Sequence, residues 1–325
     1  MPADENPGPG SRGGATSSAP ASRADGGSEN RRIKRHHLSG KAVAPYLFVL
    51  PNMLVFIAFT IIPAGYMFNM SLFDSKNGRT FEPVGFGNFT EIATDGEFAR
   101  ILWQTAIFTV FFVVLTVVFA TLFAVLLNDQ FRGRTFFRAV LFLPSLLSAV
   151  VIGLIWGWMF ERSNGLINVV GSSFGLPEIP WLVNENLALG VVIFVGLWMH
   201  TGFYTLIVLA GLQGIDPNVY EAARVDGAST MQRFFRITWP LLRPTTLVVL
   251  ILSTISGFQS FDFIWTLTGG GPVGSTTLIV QYIYEKGFST PSRYGLAAAG
   301  GVVLFFIVFV LTMFNFWYGR RKEAA

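Results

Sequence analysis

Cysteine is absent from this 325-residue chain, which excludes disulfide bridges and thiolate metal sites. Charge is scarce as well. Asp, Glu, Lys and Arg together make up 13% of the residues, about half of the roughly 25% usual in soluble domains. Histidine occurs three times, twice in the adjacent pair His36 and His37, so a general acid–base enzyme is poorly supplied. There is no GxxxxGK[ST] phosphate loop, and ATP hydrolysis by the chain itself is not expected. HExxH is missing, and no His and carboxylates cluster at metal spacing. The apolar runs lack the internal carboxylates and lysines that a proton-coupled carrier uses. Asp262, near the outer end of the fifth run, is the one acidic residue deep enough to consider.

What the chain has in abundance is apolar surface: 52% hydrophobic residues, 33 phenylalanines and a mean hydropathy of +0.53. That composition is a membrane protein's. Residues 1–40 are a different material, dominated by Pro, Gly, Ser and Ala, and are predicted to be a disordered cytoplasmic tail. The tail ends in the basic run Arg31–His37. A signal peptide is disfavoured, because the following run is too long, lacks a small-residue cleavage site and is followed by more runs. The patch reads as a cytoplasmic anchor, with the histidine pair part of it.

Residues 41–325 are predicted to form an all-α membrane domain of six transmembrane helices. The six apolar runs lie at about 45–72, 102–127, 136–160, 187–212, 245–268 and 296–318, each near the roughly 20 residues that cross a bilayer. Pro51 and Pro63 predict a kink or an interfacial start in the first. With the N-terminus inside, the inner segments at 31–41, 128–138, 213–244 and 319–325 hold fifteen Lys or Arg, and the outer loops hold six. Both termini are therefore expected in the cytoplasm. The net charge of +4 follows from topology, and nucleic acid is not needed to explain it.

Polar residues inside apolar runs are the candidate pathway, since each is costly unless it faces protein or water. Ser253, Ser256, Gln259, Ser260 and Phe263 follow helical spacing in the fifth run and are expected to share a face. His200, Thr201, Tyr204 and Thr205 do so in the fourth, with Trp198 near, and Pro144, Ser145 and Ser148 form a smaller group in the third. Hydroxyls and amides beside aromatic rings suit a neutral polyol, whose apolar faces stack on rings. Small polar residues also let membrane helices pack closely. The serines and Thr205 are read first as packing residues, Gln259 first as a pathway residue, and His200 serves either reading.

The longest inner loop, Asp216–Pro244, predicts two short helices about a glycine hinge. Asp216 caps the first and Pro217 fits its first turn. Glu221 and Arg224 lie on one helical face, and Ala222 and Ala223 leave a surface with little side-chain bulk. Gly227 stops that helix. Ser229 with Gln232 predicts a capping box for the second, which ends or bends at Pro240 and Pro244.

Glu221-Ala222-Ala223, Gly227 four residues on, then Ile237 and Pro240, resemble the EAA loop of ABC-importer permeases. The pattern usually has leucine before its last proline; Trp239 stands there instead and remains apolar. Together with the Gly-Phe-x-Asn-Phe stretch at 85–89 and the Gly-Gly-Gly-Pro loop at 269–272, the chain after residue 40 is similar to sugar-type permeases. Within them it resembles the first of two paired permeases, as in maltose and glycerol-3-phosphate importers. The resemblance implies a second homologous permease, two ATP-binding subunits, an extracytoplasmic binding protein and a prokaryotic cell membrane, with no cofactor. It implies that Glu221, Ala222, Ala223, Asp226, Gly227, Ile237 and Pro240 couple to the ATPase. It also implies that Gly270, Gly271 and Pro272, whose own sequence predicts only a flexible turn, touch the binding protein. The mechanism implied is alternating access. A phosphorylated polyol such as glycerol-3-phosphate competes with a plain sugar as substrate. An ATP-independent carrier or channel, and a membrane enzyme, are the other classes considered.

Overall fold

The computed structural model describes residues 44–75 and 78–323, so the tail predicted at 1–40 lies outside the described residues. The chain divides into two compact units after Leu54. In the first, the described residues are helical and include Pro51; they belong to α1 (Ala44–Phe56). In the second, a π-helical turn at Ile57–Ile61 precedes α2 (Ile62–Met70). Pro63 sits in the first turn of α2, so the predicted kink becomes a local widening rather than a break.

A two-residue hairpin, β1 (Phe73–Asp74) with β2 (Glu82–Pro83), leads to α3 (Gly87–Thr94). Buried Asn88 explains the Gly-Phe-x-Asn-Phe stretch. Its Nδ2 donates to the carbonyls of Ser71 and Phe73, each at 2.9 Å, tying α3 to the hairpin.

Two long helices carry the core. In α4 (Gly96–Asn128), Ile101, Thr105, Phe108, Phe112 and Thr116 recur at three- and four-residue spacing and are buried. Further on come α5 (Arg134–Phe142), α6 (Ala149–Met159), α7 (Leu166–Ser173) and α8 (Glu185–Gln213), the last packed along α4. Lipid tails are as apolar as leucine, so such helices are held by close fit rather than by escape from water. Gly202 of α8 shows the fit: a Cβ there would lie 2.6 Å from the carbonyl carbon of Leu141 and 2.8 Å from Phe142 Cα.

The inner loop supplies α9 (Pro217–Val225), α10 (Thr230–Arg233) and α11 (Trp239–Leu241), with a π turn at Phe234–Thr238. It runs into α12 (Arg243–Phe258), then α13 (Asp262–Leu267), α14 (Ile279–Phe288) and α15 (Tyr294–Glu323).

Two of the six predicted runs are not straight spans. Arg134–Leu146 and Ala149–Met159 meet at 99°, after a 3-10 turn containing Pro144, so the run at 136–160 is broken. The run at 245–268 ends as a helix at Phe258 and restarts at Asp262. Its α12 is also bent by 66° from Thr230–Leu241. Among the described residues, four helices are long and apolar enough to cross a membrane alone, and up to six spans result if each bent pair counts as one.

Candidate functional site

The loop at 216–244 is two helices joined at a glycine, as its capping signals predict. The Asp216 carboxylate accepts the Asn218 N–H at 2.9 Å at the start of α9. At its end the Ala228 N–H reaches the Ala223 carbonyl at 2.9 Å, and the Gly227 N–H reaches Arg224 at 3.1 Å. These are the two bonds of a Schellman termination, and they require Gly227 at φ +76°. Ser229 and Gln232 form both bonds of the capping box, at 2.8 and 3.3 Å. The phenol of Tyr220 meets Thr238 Oγ1 at 3.1 Å and ties α9 to the second half of the loop. Sequence reading missed Tyr220, because a tyrosine in a short polar helix carries no motif.

The expected small-residue surface is only half present. Ala222 is exposed, but Ala223 is buried under the loop, because the fold turns that face of α9 inward. Glu221 and Arg224 make no ion pair. Both instead border a polar cleft of about 680 Å³ with Asn128, Gln130, Tyr220 and Arg233. Outside the cleft the loop presents Val225, Met231 and Phe235 to solvent, at 87%, 67% and 59% exposure. Ile237 and Pro240 are half-buried, and Asp226 is exposed.

Among the membrane-run residues the structure joins some and separates others. Tyr204 and Ser256 meet at 3.0 Å between α8 and α12. His200 stacks on Tyr204 and packs edge-on against Phe112, with Nδ1 at 2.9 Å from the Gly196 carbonyl. Thr201, Thr205, Ser253 and Ser260 are buried and donate to carbonyls four residues back, the signature of packing hydroxyls. Gln259 departs from the expected common face. It is the first residue of the break after α12, and its side chain is exposed while Ser253, Ser260 and Phe263 are buried.

The loop at 269–277 is not the flexible turn its glycines predict. Thr276 Oγ1 bonds Thr268 Oγ1 at 2.7 Å and the Gly271 carbonyl at 2.8 Å, and Gln281 Nε2 holds the Gly269 carbonyl at 3.1 Å. Arg100 donates to the Val273 carbonyl at 3.0 Å. Gly270 is buried and Gly271 and Pro272 are half-buried; Val273 projects, at 79% exposure. Nearby, Arg293 forks onto Glu91 beside Asp74, and the bonds to Glu91 raise the arginine's pKa. Lys286 pairs with Glu97 at 3.1 Å. These pairs staple α3 and α4 to the segments around α14. No group of three or more metal-ligating residues occurs among the described residues.

The family described as binding-protein-dependent transport system inner membrane component matches residues 120–324. The trehalose/maltose transport system permease protein MalF of Thermococcus litoralis is 35% identical over 286 residues, 86% of this chain and 94% of that one. The sn-glycerol-3-phosphate transport system permease protein UgpA of Agrobacterium fabrum is 31% identical over 282 residues, 86% of this chain and 96% of that one. A solved bacterial alginate ABC transporter, in complex with alginate pentasaccharide-bound periplasmic protein, contains a similar chain. Its TM-score is 0.76 at 25% identity, covering 87% of this chain and 97% of that one.

Proposed function

The chain belongs to the family of binding-protein-dependent transport system inner membrane components, and on that premise we propose that it is one of two paired permeases in an ATP-driven sugar or oligosaccharide importer. Two separate ATP-binding subunits lie beneath, and an extracytoplasmic binding protein delivers substrate. The permease domain, 41–325, crosses a prokaryotic cell membrane six times with both termini inside, and residues 1–40 form a cytoplasmic tail. Taking α5 with α6 as the third span and α12 with α13 as the fifth leaves the EAA-like loop, 216–244, between the fourth and fifth.

The observation that carries this reading is the loop at 216–244. It is capped at the start of both helices and closed by a Schellman termination, yet it holds Val225, Met231 and Phe235 out in water. A rigid element with an exposed apolar tip is built to be covered by a partner. The ATPase subunit is that partner: closing of its dimer on ATP displaces α9 and α10, and the spans rock outward-facing. Hydrolysis resets them. Gln259, exposed at the break after α12, is the leading pathway residue, with Tyr204, Ser256, Ser260 and His200 behind it. On the outer side Val273, flanked by Gly270, Gly271 and Pro272, meets the binding protein.

A neutral sugar is favoured over a phosphorylated polyol. A phosphate requires cationic donors, and α6 and α8 contain no Lys or Arg, while α12 has only Arg243 in its first turn. The test is reconstitution with the ATP-binding and binding proteins in vesicles. ATP-dependent uptake of a labelled oligosaccharide is expected. Uptake by this chain alone, without ATP, would overturn the reading in favour of a secondary carrier.

A further inference from the structure

Between the end of α4 and the flank of α5 lies a groove of about 420 Å³ whose lining side chains, Phe123, Leu127, Phe131, Phe137, Val140 and Trp198 among them, are all apolar. Three arginines flank its lining residues. Arg132 follows the lining residue Phe131 directly, and Arg134 and Arg138 lie one turn apart on α5, each three residues before a lining residue, Phe137 and Leu141. Arg138 is partly committed: its Nη2 donates to the Leu127 carbonyl at 2.9 Å, at the end of α4. Its Nε is buried with no partner. None of the three has a carboxylate within ion-pair distance among the described residues.

We propose that this groove holds a phospholipid with an anionic head group, drawn from the cytoplasmic leaflet. One acyl chain fills the groove, and the phosphate sits against Arg132 and Arg134. This rests on the proposed inward placement of residues 128–138. The chemistry selects the occupant. A peptide laid there would bring backbone N–H and C=O groups that an all-apolar lining leaves unbonded. An acyl chain has no such groups and gains dispersion contacts along its length. The arginines then meet the head group at the level where anionic lipids concentrate.

The experiment uses the full chain in detergent, with phosphatidylglycerol and phosphatidylcholine of identical acyl chains titrated and bound lipid counted by native mass spectrometry. Wild type should retain phosphatidylglycerol at least about fivefold more tightly, the effect of one arginine near a membrane surface. The double variant R132Q/R134Q should lose up to about thirtyfold in phosphatidylglycerol affinity while phosphatidylcholine is unchanged. Val140→Trp, which fills the groove, should weaken both lipids. Equal binding of the two lipids by wild type, or an unchanged preference in R132Q/R134Q, would overturn the proposal. So would a Val140→Trp variant with a wild-type melting profile that keeps its lipid. Should Val140→Trp not fold, R132Q/R134Q decides the matter, since Arg132 is exposed and Arg134 only half-buried. Transport is not read in this assay, so failure of the importer reading would leave its outcome intact.

Discussion

Replacing Gly227 with valine isolates the hinge of the cytoplasmic loop. Nothing lies within 4 Å of a Cβ built at this position, so the new side chain meets no neighbour. The cost is in the backbone alone. Gly227 has φ +76°, where an L-residue pays about 1–2 kcal/mol and a β-branched one the upper end or more. The chain can escape that strain by unwinding the turn. It then gives up the Ala228–Ala223 and Gly227–Arg224 bonds, each worth about 1 kcal/mol. Either route costs about 2 kcal/mol, which lowers the population of the docking-competent loop by up to about thirtyfold.

The assay is capture of the ATP-binding subunit by the inserted permease over a concentration series, alongside substrate-stimulated ATP hydrolysis in vesicles. Gly227→Val should weaken capture by up to about thirtyfold and reduce stimulated hydrolysis with it. Gly227→Asn is the control, because asparagine tolerates the left-handed region and should retain most of both. Wild-type capture and coupling by Gly227→Val would refute the claim that this loop transmits the ATPase motion. A loss in Gly227→Asn as deep as in Gly227→Val would refute backbone strain as the cause.

Three further outcomes are expected. In this cysteine-free chain, Val273→Cys should react with an impermeant thiol reagent added outside and Ser229→Cys should not; the reverse would invert the topology. Ser275, buried at 7% exposure, is unsuitable for that label although it lies in the same loop. Gln259→Leu should lower sugar transport about two- to tenfold, the worth of one hydrogen bond, with assembly unchanged; full transport would make Gln259 a bystander. Gly202→Ala should lower the melting temperature of the solubilised chain, because its Cβ meets backbone atoms of Leu141 and Phe142 and overpacking costs about 1–3 kcal/mol or more. Gly190→Ala, with nothing within 4 Å, should not.

The helices and the membrane were legible because both are written in composition and period. The caps of the inner loop were legible residue by residue, since Asp216, Ser229, Gln232 and Gly227 are each chosen for a local hydrogen bond or backbone angle. The breaks were not. A 99° turn near Leu147 is announced only by Pro144, and many membrane helices absorb a proline without breaking. The break at Gln259–Phe261 has no proline at all; it follows from packing α13 against α6, which no local pattern records. The same reason hid the fate of Ala223 and the loop at 269–277. Hydroxyls of Thr268, Thr276 and Thr277 look like solvent-facing loop residues until the fold brings them to each other and to glycine carbonyls.

The packing also divides the membrane part into bodies that move together and links that bend. α12 is locked to its neighbours: Gly257 leaves room for Thr109 of α4, and Ser256 bonds Tyr204 of α8. A displacement of the inner loop therefore passes through α12 into α4 and α8 as one block. α6 and α13 form a second block, in which Thr266 Oγ1 donates to the Val150 carbonyl at 3.2 Å and Gly153 sits against Phe263 and Thr266. Two short non-helical links, at 147–148 before α6 and at 259–261 before α13, lead into the second block, and residues 160–184 lead from α6 back to α8. Packed interfaces resist gradual deformation and shift as units, so relative motion concentrates in those two links. Gln259 occupies one of them with its side chain exposed. On the proposed importer reading, a residue whose surroundings change as the blocks move is where the pathway would release a sugar in one state and hold it in the other.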